Sequence, residues 1–126
     1  MKFLLDTHAF VWAIARSRRL SANAAALLQV RANTVLVSAI TACEIEFKRP
    51  RDPLLAALPA DLDEVLRNHG FEWLALRHSH ATAAGRLPRL AGDPFDRMLA
   101  AQALIEHATV VTVDPAIGAY GCVTAW

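Results

Sequence analysis

The chain of 126 residues lacks sequence features that are typical of disulfide-rich, membrane and secreted proteins. Its two cysteines, Cys43 and Cys122, lie far apart and match no metal-binding spacing. This usage excludes a disulfide scaffold and predicts reduced, buried thiols in a cytoplasmic protein. No uncharged run exceeds about a dozen residues, against the roughly 20 that a membrane span needs. We therefore expect no membrane association, and no signal peptide, because Asp6 interrupts the early apolar stretch.

Several catalytic motifs are also missing. There is no glycine-rich phosphate loop and no G-x-S-x-G nucleophile motif. The histidines show no zinc spacing, and the pair His78 and His80, without a third ligand nearby, indicates the start of a surface helix. The three tryptophans each lie in or beside an apolar pattern, which favours packing over base stacking.

The charge balance does not by itself point to nucleic acid, because the net charge is only +1. The basic residues are nevertheless clustered in two runs, which are Arg16, Arg18 and Arg19, and then Lys48, Arg49 and Arg51. Such runs are either solvated helix ends or a rim that contacts phosphates, and both interpretations stay open.

Short runs of β-branched residues or leucine alternate with helical patterns along the whole chain. The predicted strands are 2–6, 34–38, 71–76, 109–113 and 122–125. The predicted helices are 7–16, 21–31, 39–48, 61–69, 78–86 and 94–106, with a short turn near 54–58. This alternation predicts one α/β domain over residues 1–126, with a parallel sheet covered on both faces. The apolar fraction of 55% suits such a doubly covered sheet.

Four acidic residues occupy positions where predicted strands end and helices begin. Asp6 and Asp114 end the first and fourth strands, Glu44 follows the second, and Asp96 lies in the segment Asp93-Pro94-Phe95-Asp96-Arg97. In open parallel sheets, ligands bind at the carboxyl ends of the strands, where the strand order reverses. If the first and fourth strands are neighbours there, Asp6 and Asp114 face each other.

Each acid also has a structural alternative. Asp6 could simply cap the helix that follows it. Asp93 is a better cap still, because Pro94 follows at the first helical position, and we assign Asp93 mainly to capping. Glu44 could lie at a solvent edge. Taken together, however, four converging carboxylates repel one another unless a cation joins them, and oxygen ligands favour Mg²⁺ or Mn²⁺.

Several segments resemble PIN-domain ribonucleases, and in particular the VapC toxins of VapBC toxin–antitoxin pairs. These segments are Leu4-Leu5-Asp6-Thr7-His8, Ser38-Ala39-Ile40 with Glu44-Ile45, Asp93 to Ala103, and Val111-Thr112-Val113-Asp114. The resemblance covers essentially the whole chain, including Tyr120-Gly121 and Trp126. Its most specific part is the D-P-F-D-R-M-L-A-A-Q-A element.

The resemblance implies a three-layer fold with a five-stranded parallel sheet in the order 3-2-1-4-5, flanked by helices. It assigns metal binding and catalysis to Asp6, Glu44, Asp96 and Asp114. It further implies an endoribonuclease that uses Mg²⁺, or Mn²⁺ in its place, and leaves a 5′-phosphate and a 3′-hydroxyl. The implied partners are the RNA substrate, a second copy in a homodimer, and a VapB-type antitoxin, through which alone DNA would be contacted.

Other residues are candidates for supporting roles. Thr7, Ser38, Asp93 and Thr112 could orient ligands or waters from behind the acids, and Arg97 could contact substrate. Many relatives carry a histidine two residues before the Asp-Pro-Phe-Asp run, where this chain has Ala91. This departure concerns substrate choice, since no metal ligand is lost.

Three other functions compete with this hypothesis. A haloacid-dehalogenase-like phosphatase needs a second Asp two residues after the first, where this chain has His8. A receiver domain needs a phosphoacceptor Asp after the third strand, where Arg77 stands. An inactive PIN-like module that binds RNA or a partner is compatible with the fold, but the presence of all four acids disfavours it.

Overall fold

A computed structural model describes residues 1–89 and 93–126 of the chain. Five parallel strands form one sheet in the order β3-β2-β1-β4-β5, which confirms the predicted topology. The strands are β1 (Lys2–Leu5), β2 (Thr34–Ser38), β3 (Glu72–Leu74), β4 (Thr109–Val111) and β5 (Thr124–Ala125). All five lie where the sequence predicts them, and four are shorter than predicted.

The helices also follow the predicted alternation. They are α1 (Thr7–Ile14), α2 (Ala22–Gln29), α3 (Ala39–Lys48), α4 (Pro53–Ala56), α5 (Leu62–His69), α6 (His78–Arg86), α7 (Pro94–Glu106) and α8 (Pro115–Gly118), with a 3₁₀ turn at Arg49–Arg51. The 3₁₀ turn and α8 were not predicted from the sequence. The start of α8 uses the same signal as that of α7, an aspartate cap followed by proline at the first helical position.

The sheet has a hydrophobic core on each face. Because alternate residues of a strand point to opposite faces, Phe3 and Leu5 pack with Phe10 of α1, whereas Leu4 packs with Leu99 of α7 and Ile117 of α8. The two cores make three layers, with the sheet in the middle. Within the described ranges, no helix has the length and apolarity that crossing a bilayer requires.

Two predictions about individual side chains are wrong. Cys43 is exposed rather than buried, because α3 buries the face that carries Ile40, Thr41, Glu44 and Ile45. His80 is fully buried rather than on the surface, and its Nδ1 accepts a hydrogen bond from the Arg77 amide at the start of α6. Cys122 is partly buried, and burial raises the pKa of its thiol.

The centre of the sheet determines where a ligand can bind. The strand β1 lies between β2 and β4, with Leu4 level with Leu36 on one side and Val110 on the other. The strand order reverses at β1, so the crevice at the carboxyl ends of β1 and β4 is the expected binding position. Asp6 follows β1 directly, and Thr112 follows β4 directly.

Candidate metal centre

Asp6 is a helix cap whose second oxygen is held by another segment. Its Oδ1 accepts a hydrogen bond from the Ala9 amide at 2.7 Å, which begins α1. Its Oδ2 accepts one from the Thr112 hydroxyl at 2.5 Å. The side chain is buried in the crevice, with only 4% of the residue exposed. Helix capping therefore accounts for the hydrogen bond to Oδ1 of Asp6, whereas Oδ2 binds a residue at the end of β4.

Thr112 also orders the backbone at Asp114. Its hydroxyl accepts a hydrogen bond from the Asp114 amide at 2.9 Å while it donates to Asp6. The Asp114 carboxylate in turn caps α8, where it accepts from the Ala116 amide at 2.9 Å. One hydroxyl thus joins the segments that carry Asp6 and Asp114.

Glu44 reaches the same crevice from α3 and is only 6% exposed. Its Oε1 accepts a 2.6 Å hydrogen bond from the Thr7 hydroxyl, which itself lies 3.3 Å from the hydroxyl of Thr41. Its Oε2 forms a 2.6 Å ion pair with the ammonium of Lys48, one helical turn further on. Glu44 is therefore not at a solvent edge, and both of its oxygens have partners.

Asp96 lies in the first turn of α7, and Asp93 caps that helix. The Asp93 carboxylate accepts a 2.8 Å hydrogen bond from the Asp96 amide. Asp93 is exposed, whereas Asp96 is half-buried. Asp93 thus caps the helix, as the sequence indicates, while Asp96 lies near enough to the other acids for their charges to act on it.

The electrostatics show that the acids share one environment. Loss of hydration is the main cause that raises the pKa of Asp96 to about 7, and repulsion from Asp93, Asp114, Glu44 and Asp6, in decreasing order, supplies the rest of that rise. Burial likewise raises the pKa of Asp6, and hydrogen bonds from Thr112 and Ala9 partly offset the rise. Asp114 also repels Asp6, whereas His8 attracts it. Carboxylates from four separate elements therefore interact across one crevice.

The donor chemistry of this crevice fits a hard divalent cation. The carboxylates of Asp6, Glu44, Asp96 and Asp114 supply oxygen ligands, which Mg²⁺ and Mn²⁺ prefer. Among the residues that the structure describes, however, no three His, Cys, Asp or Glu side chains stand close enough together to hold one metal ion. The acids thus converge without forming a closed ligand set.

A buried polar network lies behind the crevice and was not predicted. The hydroxyl of Ser38 accepts from the Ile40 amide to cap α3, and it donates to Oε1 of Gln102 at 2.5 Å. The amide nitrogen of Gln102 donates to the Ala75 carbonyl at 3.3 Å. Ser38 and Gln102 are both fully buried, so this contact fixes α3 against α7, the helices of Glu44 and Asp96. A lone Gln in the apolar pattern of α7 was the available signal.

The side chain of Arg97 forms hydrogen bonds with backbone carbonyl groups. Its guanidinium donates to the carbonyls of Leu87 and Pro88, and it lies over the ring of Tyr120 at 6.0 Å. These contacts tie the first turn of α7 to the end of α6, and a contact of Arg97 with substrate stays a prediction. The departure at Ala91 lies outside the described residues.

Lys48, which the sequence placed only in a basic run, also lies beside this crevice. Its ammonium pairs with Glu44 and lies 5.8 Å from the centre of the Phe95 ring, next to Asp96. The spacing Glu-x-x-x-Lys on a predicted helix was the available signal, because residues four apart share a helix face.

Comparison with known proteins agrees with this fold. The PIN-domain family model matches residues 3–121 of the chain. No sequence among the curated proteins matches it. The chain is similar to VapBC2 from Rickettsia felis, solved bound to a promoter DNA fragment, with a TM-score of 0.76 and 20% identity over 99% of this chain and 98% of that one.

Two further solved structures are similar over nearly their whole length. One is DNA-bound VapBC from Salmonella typhimurium, with a TM-score of 0.70 and 19% identity over 99% of this chain and 97% of that one. The other is VapC20 from Mycobacterium tuberculosis, a toxin that cleaves the sarcin-ricin loop, with a TM-score of 0.69 and 15% identity over 96% of both chains.

Proposed function

The chain belongs to the PIN-domain family, and on that premise we propose that it is a Mg²⁺-dependent endoribonuclease. We further propose that residues 1–126 form one domain, which acts as the toxin of a toxin–antitoxin pair. PIN domains are nucleases, so nuclease activity in general follows from membership of the family. The observation that supports the finer proposal is the convergence of Asp6, Glu44, Asp96 and Asp114 at the point where the strand order reverses.

In this proposal those four carboxylates hold one or two Mg²⁺ ions, for which Mn²⁺ can substitute. A bound divalent ion supplies an activated water near neutral pH and offsets the charge that develops on the phosphate. Thr7 and Thr112 orient the carboxylates of Glu44 and Asp6 by the hydrogen bonds that they donate. Ser38 holds α3 in place through Gln102, and Asp93 begins the helix that presents Asp96.

The toxin role rests on the kind of protein that shares this fold. Two of the similar structures are DNA-bound VapBC complexes, and VapC20 is a toxin that cleaves the sarcin-ricin loop. By analogy, we assign this chain a cytoplasmic location, a homodimeric state and a VapB-type antitoxin as partner. Contact with DNA would then occur only through the antitoxin.

An inactive PIN-like module is the second candidate, and one observation favours it. Both oxygens of Glu44 are engaged, by Thr7 and Lys48, and the described acids do not form a closed metal site. A phosphatase of the haloacid-dehalogenase type is not supported, because the family model is that of a PIN domain and His8 stands where the second Asp is needed.

Cleavage of total cellular RNA separates the two candidates. Purified protein, free of any partner, is incubated with the RNA in Mg²⁺ or in EDTA, and the new 5′ ends are mapped by sequencing. The nuclease proposal expects discrete 5′-phosphate ends that appear only with Mg²⁺. An identical pattern of ends with and without the protein would favour the inactive module.

A further inference from the structure

The ammonium of Lys48 contacts one of the acids, although the lysine side chain itself is exposed. Its Nζ lies 2.6 Å from Oε2 of Glu44, a residue that is only 6% exposed. An ordinary ion pair between residues four apart on a helix joins two solvated side chains. Here the acid is buried, whereas 45% of the lysine side chain is exposed. The ammonium therefore compensates a carboxylate that has little contact with water.

The surroundings of Lys48 include the helix opposite. Its Nζ lies 5.8 Å from the centre of the Phe95 ring, in the first turn of α7. The acids Glu44, Asp93 and Asp96 all raise the pKa of Lys48, the hydrogen bond to Glu44 most of all. One lysine thus places its charge between the two helices that carry Glu44 and Asp96.

We propose that the ammonium of Lys48 is a built-in counter-cation of the acid cluster, which a divalent metal ion must displace from Glu44 before Glu44 can bind the metal. This inference rests on the proposed function, because it concerns the same carboxylates. Two cations compete for one oxygen: Oε2 of Glu44 holds the ammonium at hydrogen-bond distance, so metal uptake requires that contact to break.

The competition has two consequences of opposite sign. Without metal, Lys48 stabilises the fold, since it offsets repulsion among the acids. In the presence of metal, the cost of breaking the ion pair lowers the apparent affinity. A neutral residue at position 48 should therefore weaken the fold in EDTA and strengthen metal binding. A lysine that served only as a surface partner would change neither quantity more than a neighbouring charge does.

The test measures Mn²⁺ binding to the full chain in the absence of RNA, from the electron paramagnetic resonance signal of free Mn²⁺. The variants are Lys48→Met and Lys48→Gln, which remove the ammonium, and Lys48→Arg, which keeps a cation. Arg51→Met is the matched control, because it removes one positive charge from an exposed position three residues away. Melting curves in EDTA and in Mn²⁺ accompany each titration.

The inference expects Lys48→Met and Lys48→Gln to bind Mn²⁺ about fivefold more tightly than Arg51→Met, a ratio equivalent to roughly 1 kcal/mol. Both should melt at a lower temperature than the wild type in EDTA and gain more from Mn²⁺, while Lys48→Arg stays near the wild type. If the wild type binds Mn²⁺ but Lys48→Met and Arg51→Met bind it equally, the inference on Lys48 is overturned and the proposed function stands. If the wild type binds no Mn²⁺, the proposed function fails, and this inference fails with it.

Discussion

The hydroxyl of Thr112 donates a hydrogen bond to Oδ2 of Asp6 over 2.5 Å, and it thereby joins two residues that are 106 positions apart in the chain. Both residues are buried at the carboxyl ends of the central strands. Asp6 is a charged group with little access to water, so each hydrogen bond that it accepts offsets part of its desolvation.

Thr112→Val should therefore destabilise the protein by about 1–2 kcal/mol, because valine has the same shape but leaves Oδ2 of Asp6 without this donor. The measurement is urea unfolding in EDTA at neutral pH. Thr109→Val on the same strand is the control, since the Thr109 side chain is half-buried and forms no hydrogen bond within the described parts of the chain. Equal stabilities of the two variants would contradict the role assigned to Thr112.

Asp96→Asn should stabilise the protein in EDTA near pH 8. The pKa of Asp96 is about 7 in the folded state, above the ordinary value of 3.8 that applies to the unfolded chain, so the folded protein binds more protons between these values. The contribution of Asp96 to stability is thus present at low pH and is lost as pH rises from about 4 to about 7. Because the side chain is half-exposed and screened by solvent, we expect a gain of only about 1 kcal/mol.

Unfolding curves at several pH values check this prediction. The decline in stability between about pH 4 and pH 7 should be smaller in Asp96→Asn than in the wild type. Asp93→Asn should resemble the wild type more closely, because Asp93 is exposed and asparagine caps a helix nearly as well. A loss of stability in Asp96→Asn at pH 8 would mean that Asp96 serves the helix alone.

Mg²⁺ should raise the melting temperature of the wild type, because it binds the folded state better than the unfolded state. The rise should be smaller in Asp96→Asn, which lacks one carboxylate of the proposed ligand set. Melting curves with Mg²⁺ and with EDTA, recorded at the same ionic strength, measure both effects. A wild-type protein whose melting temperature Mg²⁺ does not change would indicate separate helix caps rather than a site.

Induced expression of the chain alone should arrest bacterial growth if it is a toxin. Asp6→Asn should relieve the arrest, since Asp6 lies at the centre of the proposed site and asparagine can still cap α1. Growth curves are compared at equal soluble expression, in a host without a matching antitoxin. Normal growth with the wild-type chain would argue against the toxin role.

Much of the fold was predictable because its signals are local. Alternation of apolar strands with capped helices gave every strand its place in the chain, whereas the strand order that puts Asp6 beside the end of β4 came from the resemblance to PIN domains. The error at Cys43 came from neglect of the helical period, which puts Glu44 and Ile45 on the buried face and Cys43 away from it.

The remaining features depend on contacts between distant segments. The guanidinium of Arg97 donates to carbonyls at the end of α6, and no sequence pattern around Arg97 predicts that these carbonyls lie within its reach. The contact between Ser38 and Gln102 joins residues that are 64 positions apart. The ion pair between Glu44 and Lys48 is local and could have been predicted from the spacing of the two residues. The burial of Glu44, in contrast, follows only from the packing of α3.

The central claim is that four carboxylates act as one metal-dependent nuclease site, and the most direct measurement compares Asp96→Asn with Asp93→Asn on one RNA. The two residues are three positions apart and undergo the same chemical change, but only Asp96 belongs to the proposed ligand set. With enzyme in excess and saturating Mg²⁺, Asp96→Asn should cleave at least about a hundredfold more slowly than the wild type, and Asp93→Asn within about threefold of it. Cleavage by Asp96→Asn at the wild-type rate, or equal losses in both variants, would contradict the site.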